Sequence, residues 1–106
     1  DNIYRATEEI GGYEREVKSV TSDYTLTGGD SVLLVDATSA AVTVSVQSAS
    51  NLRRKRYTVV KTDSSANAVT IDPAGSETIN GASTKALSSQ WDAVSFVSDG
   101  SNWYEV

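Results

Sequence analysis

From residue 16 to the end, apolar and polar positions alternate with a period of two, interrupted every few residues by Gly, Asn, Asp or Ser. Residues 41–47 (AVTVSVQ) show it best: Val42, Val44 and Val46 point one way, Thr43, Ser45 and Gln47 the other. That is the pattern of a half-buried strand. Residues 68–72 (AVTID) repeat it until Pro73-Ala74-Gly75 stops the run, because proline cannot donate to a β-ladder. Residues 31–37 (SVLLVDA) are more continuously apolar, which predicts burial on both faces. Residues 17–20, 24–27 and 56–62 read as further short strands. Asn80-Gly81 lies between 77–79 and 82–84 with 85–88 extending the second arm, and Asp99-Gly100 lies between 92–97 and 102–106. Both dipeptides tolerate positive φ and predict tight hairpins. No helix is expected after residue 16. The pattern therefore predicts an all-β domain, a single compact antiparallel β-sandwich or barrel-like unit of about nine or ten short strands over residues 17–106.

Residues 1–16 differ. They are charged, are broken by Gly11-Gly12, and lack alternation, with Thr7 to Ile10 long enough for one helical turn. They read as an N-terminal arm that packs on another surface, with Ile3, Tyr4, Arg5, Ile10 and Tyr13 as its contact residues. The first residue is Asp1 rather than Met, so the chain is expected to be a processed product or a fragment.

Composition narrows the chemistry. A length of 106 residues suits one domain with one core. Ser and Thr make up about a quarter of the chain, which fits strands with hydroxyl-bearing outer faces. The absence of Cys, Met and His removes disulfides, thiolate and imidazole chemistry, and with them the usual zinc ligands. A net charge of -5 argues against nucleic acid as a partner. No apolar run approaches the roughly 20 residues of a membrane-crossing helix, so no membrane insertion is expected. Gly28-Gly29-Asp30 lacks the Lys-Ser/Thr of a phosphate loop, and no cofactor is expected.

Four groups of residues remain as candidates. Arg53-Arg54-Lys55-Arg56 holds four of the nine basic residues. One reading is a nucleic-acid or polyanion patch; the simpler one is a turn and strand start whose charges meet carboxylates of this chain, of a neighbouring subunit or of a partner, which makes these four residues candidate partner contacts. Trp91, Trp103 and Tyr104 offer aromatic faces for a glycan, although aromatics on closing strands more often serve a core or an interface. Asp72 and Glu77 flank a turn, but hydrolysis of a glycosidic bond needs two carboxylates at a set separation about a cleft, and turn carboxylates usually cap amides. Asp63, Asn67 and Asp72 could supply oxygens to calcium, without the Asp-x-Asp/Asn-x-Asp/Asn-Gly loop that marks such sites. The expectation is no catalytic, cofactor-binding or metal-binding residue.

Three segments carry a family resemblance: 56–73 (RYTVVKTDSSANAVTIDP), 76–82 (SETINGA) and 97–106 (VSDGSNWYEV), with 24–46 (YTLT…SVLLVDA…AVTVSV) resembling the first half. Together, over about residues 17–106, they resemble a β module found at the C-termini of bacteriophage virion proteins, in tail fibres, head fibres and small capsid-associated proteins. The resemblance implies a compact homotrimeric knob in the virion, on the capsid surface or the tail. Its partners would be itself, the major capsid protein or other virion proteins, and in a fibre tip a host-surface glycan. The arm falls outside the resemblance, and the basic run 53–56 is denser than the module usually shows.

Overall fold

The computed structural model describes residues 16–106. The expected arm, with Ile3, Tyr4, Arg5, Ile10 and Tyr13, lies outside the described residues apart from Glu16. Alternation becomes strand almost everywhere it was expected. In chain order the strands are β1 (Val17–Val20), β2 (Tyr24–Thr25), β3 (Val32–Val35), β4 (Val42–Ser45), β5 (Arg56–Lys61), β6 (Val69–Asp72), β7 (Lys85–Leu87), β8 (Ala93–Ser98) and β9 (Trp103–Glu105). One 3-10 turn, Ala49–Asn51, joins β4 to β5.

The strands form two sheets, ordered β1-β3-β5-β8-β9 and β2-β4-β6-β7. Successive strands from β1 to β6 switch sheets, so the chain winds as three coils, each with one strand in either layer. Neighbouring coils stack in parallel: β1 on β3, β3 on β5, β2 on β4, β4 on β6. The chain then reverses. β7 pairs antiparallel with β6, β8 with β5, and β9 with β8. This corrects the expectation of an antiparallel sandwich: both sheets are mixed. Parallel neighbours need a crossover between them, commonly a helix. Here a strand of the opposite sheet is the crossover, and short corners suffice.

The first expected hairpin is also reduced. Around Asn80-Gly81, Ile79 and Ala82 form an isolated bridge, with Asn80 at φ 51° and Gly81 at φ 84°. The flanking residues extend into no ladder. The hairpin at Asp99-Gly100 forms as expected, with Gly100 at φ 97°.

The core lies between the layers. Val42, Val44 and Val46 are buried as the alternation predicts, facing Leu33, Val35, Val59 and Phe96 from the other sheet. The run Val32 to Val35 buries one face rather than both: Leu33 and Val35 are inside, Val32 and Leu34 half-exposed. Tyr57, Phe96 and Trp103 form an aromatic group with ring centroids 5.5–5.8 Å apart. In the first coil the inward position beside Leu33 is Lys18, whose ammonium lies 5.5 Å from the centre of the Tyr24 ring.

Lys61 also occupies an inward position and is fully buried, with Nζ 2.7 Å from Asp63 Oδ2. Asp63 accepts further hydrogen bonds from the amides of Ala37 (2.8 Å) and Ser65 (3.0 Å) and from the Ser65 hydroxyl. It thereby ties the corner after β3 to the corner after β5.

These bonds set the pH range of the fold. The hydrogen bond from Lys61, with those from Ser65 and the Ala37 amide, holds the Asp63 carboxyl far below its ordinary value. Thr38 lowers Asp36 and the amides of Asn102 and Ser101 lower Asp99. For Asp30 burial pushes upward, but hydrogen bonds from Thr27 and Tyr24 outweigh it and the net shift is down. A lowered folded-state pKa gives stability that is present above the unfolded value, about 4, and lost as pH falls below it. Burial raises the Tyr57 hydroxyl to about 12. Its contribution is complete below the unfolded value, about 10, and is lost as pH climbs toward 12. With no His in the chain, thermal melts should give a flat midpoint from about pH 5 to 9, falling on both sides. A step near pH 6–7 would contradict this account.

Candidate functional site

The basic turn is built by the chain's entry into β5. After the 3-10 turn, Lys55 N–H donates to Leu52 O (2.8 Å), Arg54 N–H to Ser98 O (3.0 Å), and Ser98 N–H to Lys55 O (3.0 Å). The turn is thus laced to the end of β8. Beneath it, Glu77 accepts from the Ala49 amide (3.0 Å) and the Ser48 hydroxyl (3.0 Å), capping the 3-10 turn from a distant loop. Arg53, Arg54 and Arg56 are exposed and Lys55 is half-buried, its ammonium 5.1 Å from the centre of the Tyr57 ring. The Arg53 stem lies along Gly100, where an added Cβ would meet Arg53 Cδ at 3.5 Å. Among the described residues, none of the four cations forms an ion pair with a carboxylate.

Arg54 has φ 69°. A non-glycine residue in this region costs roughly 1 kcal/mol relative to glycine. Trp91 shares the feature, with φ 71° and two-thirds exposure. Asn80 is the third non-glycine case, and asparagine suits its tight turn. Arg54 and Trp91 are therefore the two described positions where an exposed, bulky side chain stands at a backbone site better suited to glycine. Observed backbone strain of this kind points toward function. Both lie in turns, where sequence alone carries no signal of a positive φ.

The two sit at opposite ends of the molecule. The basic turn opens the strands that run β1, β3, β5; Trp91 sits where those strands finish, beside the corners carrying Asp23, Asp36, Asp63 and Asp92. Trp91 N–H donates to Lys61 O at 2.8 Å.

The other candidates do not assemble. Trp103 is fully buried in the aromatic group, so the expected glycan platform of Trp91, Trp103 and Tyr104 is corrected: one ring is core, and the length of β8 separates the other two. Trp103 is inside because residues paired with Ser98 face inward. Glu77 is engaged as a cap while Asp72 stands exposed on the outer face, so they form no pair about a cleft. Asp63, Asn67 and Asp72 do not converge for calcium. Asp63 is saturated by Lys61 and amides, Asn67 donates to Ala37 O at 2.8 Å, and Asp72 closes the far end of β6. No cluster of three metal-ligating acidic residues occurs among the described residues. No protein-family model matches the chain, and no curated protein matches it.

Proposed function

We propose that this chain is a non-enzymatic structural protein of the bacteriophage virion: a homotrimeric capsid decoration protein, of the cement or head-fibre kind, that docks on the capsid surface. The family class comes from the resemblance over residues 17–106. The observation that carries the docking role is the basic turn, with Arg54 kept at φ 69° and Arg53, Arg54 and Arg56 facing solvent. Its chemistry fits a carboxylate-rich patch on a partner protein, where charge complementarity fixes register and raises the rate of encounter. The carboxylates at the turns support the non-catalytic part, since Asp30, Asp36, Asp63, Asp92 and Asp99 each accept backbone amides. A trimer multiplies a weak single contact into avid attachment.

The test is quantitative mass spectrometry of purified virions. Hundreds of copies per particle support capsid decoration, a handful places the chain at a fibre tip, and none overturns the virion reading. In capsid-binding assays, Arg53→Glu/Arg54→Glu should weaken binding at least tenfold with an unchanged melting temperature. Arg54→Gly should weaken binding while leaving the melt unchanged or slightly higher. Equal binding by all variants would remove the basic turn from the site.

A further inference from the structure

The side of β9 turned away from β8 is covered by the segment leading into the Asn80-Gly81 turn. Trp103 N–H donates to Thr78 O (2.9 Å) and Asn80 N–H to Trp103 O (3.0 Å), the bonds of a parallel bridge between Ile79 and Trp103. The next bond of such a ladder would run from Glu105 N–H to the backbone carbonyl of Asn80. At φ 51° the Asn80 backbone has already entered the tight turn, and its side chain takes the carbonyl's place: Glu105 N–H donates to Asn80 Oδ1 at 2.9 Å. One side chain thus serves the turn and fastens the end of β9. Asn80 also stands before a glycine. Among the described asparagines, Asn51, Asn67 and Asn102 precede Leu52, Ala68 and Trp103, and only Asn80 precedes a residue without a side chain. Asparagine is chemically labile, and in an Asn-Gly pair no side chain shields the following nitrogen from the asparagine amide carbon. Gly81 is open besides: a Cβ added there would meet nothing within 4 Å beyond its chain neighbours.

We propose that Asn80 is a site of spontaneous covalent modification that is gated by the seating of β9 and that releases β9 once it has occurred. In the first step Gly81 N gives its proton to hydroxide and bonds to Asn80 Cγ, the Cγ–Nδ2 bond breaks, and ammonia leaves with a proton from water. Water then opens the resulting succinimide, at one carbonyl to aspartate and at the other to isoaspartate. While β9 is seated, Glu105 N–H holds the side-chain amide toward β9, and the two bonds between Ile79 and Ala82 (2.8 and 2.9 Å) hold the turn. Ring closure needs that amide to leave Glu105 and swing onto the next backbone nitrogen, so the reaction waits for local opening. Isoaspartate then makes the opening permanent. It carries the main chain through one additional methylene, which a two-residue turn does not accommodate, and it displaces the acceptor that Glu105 used.

The inference goes beyond the proposed function and draws nothing from it. The experiment is peptide mapping by mass spectrometry of the full chain, incubated at mildly alkaline pH in native buffer and in denaturing urea, with the aspartate and isoaspartate peptides separated. Conversion at Asn80 should be about tenfold or more slower in native buffer than in urea. Glu105→Pro removes the N–H that holds the amide, and proline suits an edge position whose N–H faces away from the neighbouring strand. Its native rate should rise to within about threefold of the urea rate. Glu105→Ala keeps the N–H, loses only the ion pair to Lys85, and should convert as the parent does. In hydrogen exchange, the converted chain should lose the protection of the Glu105 amide. A parent that converts as fast in native buffer as in urea, or a folded Glu105→Pro that converts no faster than the parent, overturns the gate. If Glu105→Pro fails to fold, the parent's two rates decide. A converted chain whose Glu105 amide is as protected as before overturns the release.

Discussion

Asp63→Ala is expected to lower the thermal midpoint by about 15 °C or more, the largest effect of any single polar substitution among the described residues. The reason is what it leaves behind. Lys61 is fully buried and its ammonium lies 2.7 Å from Asp63. Removing the carboxylate strands a cation in the core and frees the amides of Ala37 and Ser65, so two corners lose their fastening. Lys61→Met/Asp63→Asn should recover most of the loss, since a buried pair exchanged for an apolar group and a neutral acceptor loses little. Calorimetry of the parent and both variants checks this. A midpoint for Asp63→Ala within about 4 °C of the parent would mean that the pair does not hold the corners.

Trp103→Ala is the second. Trp103 is fully buried, packs on Tyr57 and Phe96, and its backbone joins β9 to Thr78 and Asn80 (2.9 and 3.0 Å). Large-to-small substitution of a buried aromatic costs about 3–5 kcal/mol. The indole Nε1 finds no acceptor in the core. An unmade hydrogen bond there costs about 1–3 kcal/mol, so Trp103→Phe, which deletes the orphan along with part of the ring, should cost less than half as much as Trp103→Ala. Urea unfolding at pH 7 measures both. Equal losses for Phe and Ala would show that the indole's second ring, not the aromatic group as a whole, supports β9.

The contrast between what could and could not be read beforehand follows from what alternation encodes. Side-chain period decides which face a residue presents, so Val42, Val44 and Val46 and the Asp99-Gly100 hairpin were legible from neighbours a few residues away. Period says nothing about which strand lies alongside. Val17 lies beside Val32, fifteen residues on, and Val32 beside Thr58, twenty-six residues on. Coils so unequal leave no fixed repeat to detect, and the parallel stacking stayed hidden. Lys61 was opaque for another reason: a charged residue in an alternating strand reads as outward until its partner two residues later is seen to turn inward with it. At the basic turn the charge was plain, while the left-handed backbone of Arg54 depends on hydrogen bonds to β8, far away in sequence.

The reversal at β7 makes the molecule a ruler graduated in whole coils. The strands that seal one end pair only with the last coil or with one another: β7 on β6, β8 on β5 and β9 on β8. A coil gained or lost ahead of β5 leaves those strand pairings untouched and displaces the basic turn and the first strand relative to each other by one strand spacing, about 4.8 Å. The architecture therefore permits a change of reach in discrete steps, with the same paired end on stems of different height.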